Sequence, residues 1–460
     1  MICKLLTRRS SIAVAAVVFA SMTPSAGSAA AFTEGNLVVY RVGAANDGTN
    51  PADVGEPVII DEYSPSGTLI QSIAMPTATV GNKHRLVASG SESAAGLLNR
   101  SPDGQWLTFL GYDAALGSTS PHSRSPSDVR RVIARMDGEG NLDTSTALND
   151  LGFGNGNIAR SSITTDGSRF LVTSGAGPVR QTYLGQSVST AFSHQSITGR
   201  HIDVFDNRVF VSTGDSQATS AIAEINQTTG LPSYLPGLPD PDPFHSVSQF
   251  WMADLSMAVP GVDVLYTTDI RTLDNTGGIR KYSLVGGTWT DNGRIAGPSS
   301  PFIWNFQGLT GAVDNGEVTL FGTQSSSLGS SLVSFIDVTG YNGACSGTAT
   351  VLANASANTR FRGVDFTPLA ATTEIAGDFD GNGVVEGPDL VQWRGDYGPT
   401  PGSDADNDGD SDGNDFLIWQ RALDQGGLIS VIPEPSSILI ASLSAIGLIL
   451  TAHLRCHIIT

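Results

Sequence analysis

A turn followed by a strand recurs five times between residues 32 and 370, and this repeat constrains the fold more than any other feature. The segments read SPDGQWLTFLG, TTDGSRFLVTSG, FDNRVFVSTGD, PGVDVLYTTD and DNGEVTLFGTQ, with strands near Leu107, Leu171, Phe210, Leu265 and Leu320. Apolar and polar residues alternate with period two, which indicates strands, and the Asp-Gly and Asn-Gly pairs are typical of hairpin turns. Helical periodicity is almost absent, so we expect an all-β domain.

The segments recur at intervals of about 40 to 65 residues, near the length of one four-stranded blade of a β-propeller. NLVVYRVG, VIIDEYSPSG and TLIQSIAMP add three strands of a sixth blade, and RFRGVDFTP can supply the inner strand that this blade lacks. That pairing would close the ring and remove exposed sheet edges. We therefore predict a β-propeller over residues 32–370 with six blades. Seven blades, a large β-sandwich and a β-helix remain alternatives because the intervals are irregular.

Near the C-terminus, GDFDGNGVVEGPDLVQW places oxygen-bearing residues at alternating positions around a glycine turn. Counted from position 1, the ligand slots at positions 1, 3, 5, 9 and 12 hold Asp378, Asp380, Asn382, Glu386 and Asp389. Gly383 is at position 6, and Val384 at position 7 offers its backbone carbonyl. Ca²⁺ takes about six to eight oxygen ligands, and this spacing is that of an EF-hand-type loop. The sequence therefore predicts a calcium loop at residues 378–389, called loop 1 below.

DADNDGDSDGNDFLIW repeats the arrangement at residues 404–415, called loop 2 below. The side-chain ligand slots hold Asp404, Asp406, Asp408, Asp412 and Asp415. Gly409 is at the turn, and Asp410 is expected to offer its backbone carbonyl. Both loops end in Asp and continue into a short apolar segment, with Trp393 and Trp419 at equivalent places.

These two loop–helix repeats resemble a type I dockerin over about residues 374–425. The resemblance implies two bound Ca²⁺ ions, a module spanning residues 371–427, helices that start at the twelfth ligand, and docking onto a cohesin-like or other partner. In cellulosomal dockerins, positions 10 and 11 carry Ser-Thr-like pairs that contact cohesin, whereas here they are Gly387-Pro388 and Gly413-Asn414. The alternative is an acidic spacer without bound metal.

The net charge of −19 is concentrated in this module. Residues 374–425 hold 13 Asp and Glu and two Arg, so 11 of the 19 net negative charges lie there. Because no basic patch is available to neutralise phosphates, the charge argues against nucleic acid as a partner.

Residues 1–31 have the pattern that is typical of a signal peptide. Lys4, Arg8 and Arg9 form a basic start, an apolar stretch runs from Ile12 to Ala20, and small residues precede a cleavage site after Ala31. An uncleaved anchor is the alternative. The cysteines are consistent with export of a protein that has no disulfide framework. Cys345 is the one cysteine between residues 32 and 370, so no internal disulfide can form there.

The C-terminus, residues 431–457, resembles a PEP-CTERM sorting signal of Gram-negative bacteria. Pro433, Glu434 and Pro435 form the motif, an apolar stretch from Ile438 to Ala452 would be a short membrane helix, and Arg455 follows. The resemblance implies recognition and cleavage by an exosortase-type enzyme, with an uncleaved membrane anchor as the alternative. Together with the calcium loops, the two signals resemble exported planctomycete-type proteins, and FTEGNLVVYRVG resembles uncharacterised secreted propeller-like proteins of bacteria.

Residues 32–370 contain no G-x-S-x-G, H-E-x-x-H, P-loop or Cys-x-x-Cys pattern. His194 and His201 are seven positions apart and could face one another, but we expect both to lie in solvated loops. In the proline-rich segment 230–254, Phe244 and His245 are the surface candidates, whereas Phe250 and Trp251 are expected to begin an inner strand.

Two functions are consistent with this sequence. One is an exported surface or extracellular-matrix protein whose non-catalytic propeller binds a glycan or a protein. The other is a carbohydrate-active enzyme, a glycoside hydrolase or polysaccharide lyase. Its site would need paired carboxylates, or a Tyr or His base near an Arg, brought together from several blades. Catalytic residues cannot be named from the sequence.

Overall fold

The structure is a computed structural model that describes residues 30–43, 52–92, 94–151, 158–214, 218–241, 247–269, 278–298, 305–326, 329–370, 375–381, 384–406 and 408–426. The chain divides into two compact units, residues 1–371 and residues 372–460.

The first half of the larger unit consists of strands joined mainly by tight turns, with one 3₁₀ turn at Pro121–Ser123. Its strands are β1 (Leu37–Val42), β2 (Gly55–Tyr63), β3 (Leu69–Ala74), β4 (Val87–Ser89), β5 (Leu98–Arg100), β6 (Leu107–Tyr112), β7 (Arg131–Met136), β8 (Leu142–Leu148), β9 (Ala159–Thr164), β10 (Arg169–Ser174), β11 (Arg180–Tyr183) and β12 (Thr190–Ala191).

The second half continues the same pattern. Its strands are β13 (Gly199–Phe205), β14 (Arg208–Thr213), β15 (Ile222–Ile225), β16 (Pro232–Tyr234), β17 (Val247–Ala253), β18 (Val264–Asp269), β19 (Gly278–Val285), β20 (Thr288–Ala296), β21 (Asn305–Asp314), β22 (Glu317–Ser326), β23 (Gly329–Asp337), β24 (Cys345–Thr348), β25 (Thr350–Asn354) and β26 (Arg360–Phe366).

Two-residue turns fix the register of several hairpins. Asp206 and Asn207 join β13 to β14 with φ of 50° and 56°, and Phe205 pairs with Arg208 across the turn. Asn315 and Gly316 join β21 to β22 with φ of 50° and 83°. Positive φ at both central residues is the type I′ geometry that matches strand twist, and Asn and Gly tolerate it best. The Asn and Asn-Gly signals in the sequence therefore mark true hairpins.

Four sheets are built from consecutive antiparallel strands. Their orders are β12-β11-β10-β9, β13-β14-β15-β16, β17-β18-β19-β20 with β24 added in parallel, and β21-β22-β23-β25. A fifth sheet has the order β26-β1-β2-β4-β6-β7-β8, with β3 paired to β2 and β5 paired to β6. Cores form between neighbouring sheets, as where Ile163 and Leu171 of one sheet pack with Ile202 and Val211 of the next.

The two ends of the larger unit meet in one sheet. β26 pairs antiparallel with β1, with Leu37 opposite Phe366 and Val38 opposite Asp365. The predicted supply of a strand by RFRGVDFTP is confirmed. Six strands, β5, β9, β13, β17, β21 and β26, contact one another in succession, and β26 contacts β5. They close a ring, so the arrangement is all-β and propeller-like as predicted.

The smaller unit contributes two helices, α1 (Gly387–Asp396) and α2 (Gly413–Gly426). α1 begins at Gly387 and α2 at Gly413. Each start is position 10 of a predicted calcium loop, two residues before the twelfth position at which the dockerin resemblance places it. Within the described part of the chain, no helix combines the length and apolar composition needed to cross a membrane. The predicted signal peptide up to residue 29 and the predicted sorting signal with its membrane helix, residues 431–457, lie outside the described residues.

Candidate functional site

Asp389 is the last residue of loop 1 and also lies in the first turn of α1. Its side chain is fully buried, and its two carboxylate oxygens accept hydrogen bonds from the backbone N–H groups of Asp380 (3.0 Å) and Glu386 (2.6 Å). An acidic side chain in the first turn satisfies a free N–H group and complements the helix dipole. The loop is therefore tied at positions 3 and 9 to the residue at position 12.

Three of the acids in loop 1 lie close together. Carboxylate oxygens of Asp378, Asp380 and Asp389 lie within 4.8 Å of one another. Val384 is exposed at position 7, and Glu386 lies immediately before α1. Asn382, the predicted ligand at position 5, lies outside the described residues.

Loop 2 reproduces this construction. Asp415 is fully buried, its Oδ1 accepts from the backbone N–H of Asp406 (3.2 Å), and its Oδ2 accepts from that of Asp412 (2.7 Å). These are again positions 3, 9 and 12. Asp404 at position 1 accepts from the backbone N–H of Gly409 (3.0 Å), whose φ of 100° gives the sharp turn. In both loops, the Asp at position 12 therefore accepts hydrogen bonds from the backbone N–H groups at positions 3 and 9.

Six acids crowd loop 2 in two groups of three. The members of each group offer carboxylate oxygens within 4.8 Å of one another: Asp404, Asp406 and Asp408, and then Asp410, Asp412 and Asp415. Partial desolvation, followed by repulsion from Asp408, raises the pKa of both Asp406 and Asp410. A divalent cation would remove this repulsion, because it lowers the potential at every carboxylate around it.

The side chain of Asp410 belongs to one of these acidic groups. The sequence assigned its backbone carbonyl to the site, whereas the structure places its carboxylate beside those of Asp412 and Asp415. Its Oδ1 is buried and has no hydrogen-bond partner in the described structure. A buried carboxylate oxygen without a donor is costly unless a cation accompanies it. Asp410 is therefore a candidate side-chain ligand as well.

The two loops are linked by a reciprocal pair of tryptophan hydrogen bonds. Trp419 of α2 donates its Nε1–H to the carbonyl oxygen of Glu386 in loop 1 at 2.9 Å, and Trp393 of α1 donates to that of Asp412 in loop 2 at 3.0 Å. Phe416 lies against both indoles, with ring centroids 5.1 Å from Trp393 and 5.5 Å from Trp419. Each helix thus holds position 9 of the opposite loop, which the sequence did not reveal.

The residues fit a hard cation that prefers oxygen. The side-chain donors are carboxylates, and the orphaned Oδ1 of Asp410 and the mutual repulsion in loop 2 are observations that a cation would explain. Histidine and cysteine, which favour zinc and other transition metals, are absent from the acidic groups of the described residues.

Two carboxyl groups on ring strands of the propeller-like unit have raised pKa values. Asp203 lies on β13 and Asp365 on β26, both half-buried. Burial raises the pKa of Asp203 well above its ordinary value, and repulsion from Asp365 adds to the effect. Burial also raises the pKa of Asp365, although its oxygens accept from Arg100 N–H (2.7 Å) and the Thr310 hydroxyl (2.9 Å). A carboxyl that keeps its proton to higher pH can serve as a general acid.

Amide and imidazole side chains hold the ring together. His201 on β13 is fully buried, and its Nε2 lies 2.6 Å from Oδ1 of Asn99 on β5. Gln249 on β17 donates to the Leu98 carbonyl (3.2 Å) and accepts from the Leu309 N–H (3.1 Å). Burial lowers the pKa of His201 to about 3, so its imidazole is neutral. The expectation of a solvated loop histidine was wrong for His201, because β13 carries it into the ring.

Other predicted residues are placed simply. His194 is exposed, as expected. Phe250 is buried on the ring strand β17, also as expected, and Trp251 is partly buried. Phe244 and His245 lie outside the described residues, as do Pro433, Glu434 and Pro435 of the sorting motif. Ala31, the predicted cleavage residue, is exposed immediately before the buried Phe32.

Comparison with known proteins gives no family. No protein-family model and no curated protein matches the chain. Among solved structures, it is similar to a mutant of Trypanosoma rangeli sialidase displaying trans-sialidase activity, with 10% identity and a TM-score of 0.40 over 67% of this chain and 53% of that one. The NanB sialidase of Streptococcus pneumoniae gives 10% identity and a TM-score of 0.39, covering 68% and 67%. The Dos1 propeller gives 8% and 0.31, covering 59% and 64%. These likenesses carry no conclusion about activity.

Proposed function

We propose that this chain is an exported surface or extracellular-matrix protein in which a ligand-binding propeller is joined to a module that binds two Ca²⁺ ions. The reciprocal construction of the two loops carries the calcium part of the proposal. Both closing aspartates make the same backbone bonds, and both tryptophans reach position 9 of the other loop. An acidic spacer without bound metal would need none of these four contacts.

Each loop would hold one ion. In loop 1 the ligands would be Asp378, Asp380, Asn382, the Val384 carbonyl, Glu386 and Asp389. In loop 2 they would be Asp404, Asp406, Asp408, Asp410, Asp412 and Asp415. Bound Ca²⁺ would neutralise the clustered carboxylates and stabilise the folded module, because metal binding adds directly to folding free energy.

Calorimetry on the full chain tests the calcium proposal. After removal of metal with EGTA, titration with CaCl₂ is expected to give two ions per chain. Replacement of both Asp389 and Asp415 by Asn should abolish the heat of binding. The matched control is Asp396→Asn, which removes one charge from α1 outside both acidic groups and keeps an oxygen to accept from Ser403. Equal loss in the control and the double variant would mean that general acidity attracts the ion.

For the propeller we infer six blades, one for each ring strand. The nine-stranded sheet would then comprise two blades, β26-β1-β2-β3 and β5-β6-β7-β8, joined through β4. The ligand would be a glycan or a protein. Incubation of the full chain with a panel of polysaccharides, scored for both binding and release of reducing ends, tests this part. Binding without release supports a non-catalytic role.

Release of reducing ends would instead favour a carbohydrate-active enzyme. This alternative is supported by two aspartates on ring strands, Asp203 and Asp365, whose pKa values are raised by burial, with repulsion from Asp365 adding to the shift of Asp203. In that case Asp203→Asn should abolish release while leaving the protein folded. Release that survives both Asp203→Asn and Asp365→Asn would exclude this pair as the catalytic groups.

The terminal signals complete the proposal. The signal peptide would direct export, and an exosortase-type enzyme would process the PEP-CTERM-like tail, so the chain would be anchored transiently or permanently in a membrane. The calcium module would dock onto a partner other than a cellulosomal cohesin, since Gly387-Pro388 and Gly413-Asn414 occupy the contact positions. Intact-mass measurement of the protein from its cells would test the processing at both ends.

A further inference from the structure

Two arginines in the ring have buried donors without acceptors. Arg160 is the second residue of β9 and Arg200 the second residue of β13, two strands that are neighbours in the ring. Arg160 is only 8% exposed, yet its Nε and Nη1 have no hydrogen-bond partner among the described residues, and neither has Nε of Arg200. Buried polar groups normally have partners, so these donors need an explanation.

A third ring arginine, Arg362 on β26, shows the contrast. It is 2% exposed, and its guanidinium donates to the carbonyl oxygens of Ser89 (2.8 Å), Gly90 (3.0 Å) and Ala95 (3.4 Å). Its role in tying β26 to the segment before β5 is therefore structural. The guanidinium of Arg362 therefore has carbonyl acceptors. By contrast, Nε and Nη1 of Arg160 and Nε of Arg200 have none among the described residues.

Charge and space both favour an anion beside the unsatisfied pair. Burial and then repulsion from Arg160 lower the pKa of Arg200 to about 10, so the two guanidinium groups lie close enough to repel. Glu92 is a nearby anion that acts on both, but its Oε1 already accepts from the Ala94 N–H at 2.7 Å. Gly214 faces Arg200, where a Cβ would stand 2.9 Å from Nε. Arg200 is half-buried, which leaves the pair a side open to solvent.

We propose that Arg160 and Arg200 bind an anionic oxygen group, a carboxylate or a sulfate, carried by an acidic polysaccharide. The guanidinium fork matches such groups with two parallel hydrogen bonds, and a bound anion would satisfy the orphaned donors and offset the repulsion between the arginines. The inference rests on the proposed ligand-binding role of the propeller and gives its ligand a chemical class.

Calorimetry with polygalacturonate, dextran sulfate and neutral dextran tests it on the full chain. One of the acidic polymers is expected to bind and neutral dextran is not, and the polymer that binds identifies the group as carboxylate or sulfate. Arg160→Met and Arg200→Met should each weaken that binding at least tenfold. Arg200→Lys keeps the buried charge and loses the fork, so it should weaken binding less but measurably.

The matched control is Arg208→Met. Arg208 lies on β14 of the same sheet as Arg200 and pairs with Glu224 at the surface, so its loss removes the same charge from the same sheet. Binding should be unchanged in this variant. Thermal melting of all variants separates loss of binding from loss of fold. If the Met variants have a lowered melting temperature, the binding test rests on Arg200→Lys.

Three outcomes would overturn the inference. They are failure of both acidic polymers to bind, equal affinity in the Arg160 and Arg208 variants, and equal binding of neutral dextran. Binding of neutral glycans alone would remove the anion site and leave the proposed ligand-binding role standing. Failure of every glycan to bind would remove the glycan part of that role as well.

Discussion

Trp419 donates its indole N–H to the carbonyl oxygen of Glu386 across 2.9 Å, so a side chain of the second helix holds position 9 of loop 1. The equivalent bond from Trp393 to Asp412 runs in the opposite direction. Because the carbonyl and the side chain of one residue share a backbone, fixing the carbonyl also limits where the ligand at position 9 can lie. The two proposed ions are therefore expected to be coupled.

Trp419→Phe tests this coupling. Phenylalanine keeps a ring against Phe416 and removes the donor, so one of the two calcium constants should weaken about fivefold, since a hydrogen bond contributes about 1 kcal/mol and about 1.4 kcal/mol is a factor of ten. Two-site calorimetry on the full chain gives both constants. Trp393→Phe should produce the same size of change in the other constant. If both calcium-binding constants of both variants equal those of the wild type, the indole hydrogen bonds do not couple the two sites, and the tryptophans contribute packing alone.

A second prediction concerns the buried ion pair of Lys281 and Asp337. Their Nζ and Oδ2 atoms are 2.8 Å apart, both side chains are almost fully buried, and the Tyr266 hydroxyl donates to the same Oδ2 at 2.6 Å. Although burial opposes it, hydrogen bonds from Lys281, Thr339 and Tyr266 hold the pKa of Asp337 below its usual range. The carboxylate is therefore charged in the folded protein.

Asp337→Asn leaves the buried ammonium group of Lys281 without its counter-charge. We expect the free energy of unfolding to fall by about 3 kcal/mol, the cost of breaking a buried pair from one side. Urea denaturation measures it. The control is Asp291→Asn, which breaks the Arg280–Asp291 pair, whose carboxylate is 47% exposed, and should cost under about 1 kcal/mol. Similar losses in both variants would contradict a special role for the buried pair.

The third prediction is a pH dependence that arises from His201. Burial lowers its pKa to about 3, whereas an unfolded histidine titrates near 6.5. Between these values the unfolded state binds the extra proton, so stability falls as the pH drops below about 6.5. From pH 7.5 to 5.5 this single group should remove about 1.4 kcal/mol of unfolding free energy.

His201→Gln isolates that contribution. Glutamine can still donate an N–H to Asn99 but does not titrate, so the variant should lose about 1.4 kcal/mol less than the wild type between the two pH values. Urea denaturation at pH 7.5 and 5.5, with calcium held constant, gives the difference. Parallel pH profiles in the two proteins would show that His201 is not the sensor.

The sequence predicted those features that depend on local spacing. The carboxylate oxygens of Asp378, Asp380 and Asp389 lie close together within one segment of twelve residues, residues 378–389. The closure of the ring by β26 was also foreseeable, because the first three strands of the domain lacked a partner and RFRGVDFTP had the strand pattern. In both cases the feature could be predicted from the residues of one short segment.

What the sequence missed depends on contacts between distant segments. His201 and Asn99 are about 100 positions apart, and nothing near either one marks the bond between them. The side chain of Asp410 joins the acidic group because of how loop 2 folds around Gly409, which the standard assignment of position 7 to a carbonyl does not anticipate. The unsatisfied arginines Arg160 and Arg200 become visible only when burial is known.

The last prediction concerns Asp415, which is the last residue of loop 2 and lies in the first turn of α2. Asp415→Asn removes one anionic ligand and replaces an accepting oxygen with an N–H₂ group that faces the N–H groups of Ala405, Asp406 or Asp412. We expect loop 2 to lose calcium by more than about 100-fold, since even residues that only support a metal ligand cost about 10- to 100-fold when replaced. The first turn of α2 should fray, and the calcium affinity of loop 1 should fall too, because α2 carries Trp419.

Calcium titration followed by tryptophan fluorescence measures both calcium-binding constants, with Asp396→Asn as the control for charge. Asp410→Asn is the informative comparison, because its orphaned oxygen predicts a loss of calcium affinity whereas a carbonyl-only role predicts none. Wild-type affinity in Asp415→Asn would rule out the assignment of Asp415 to position 12.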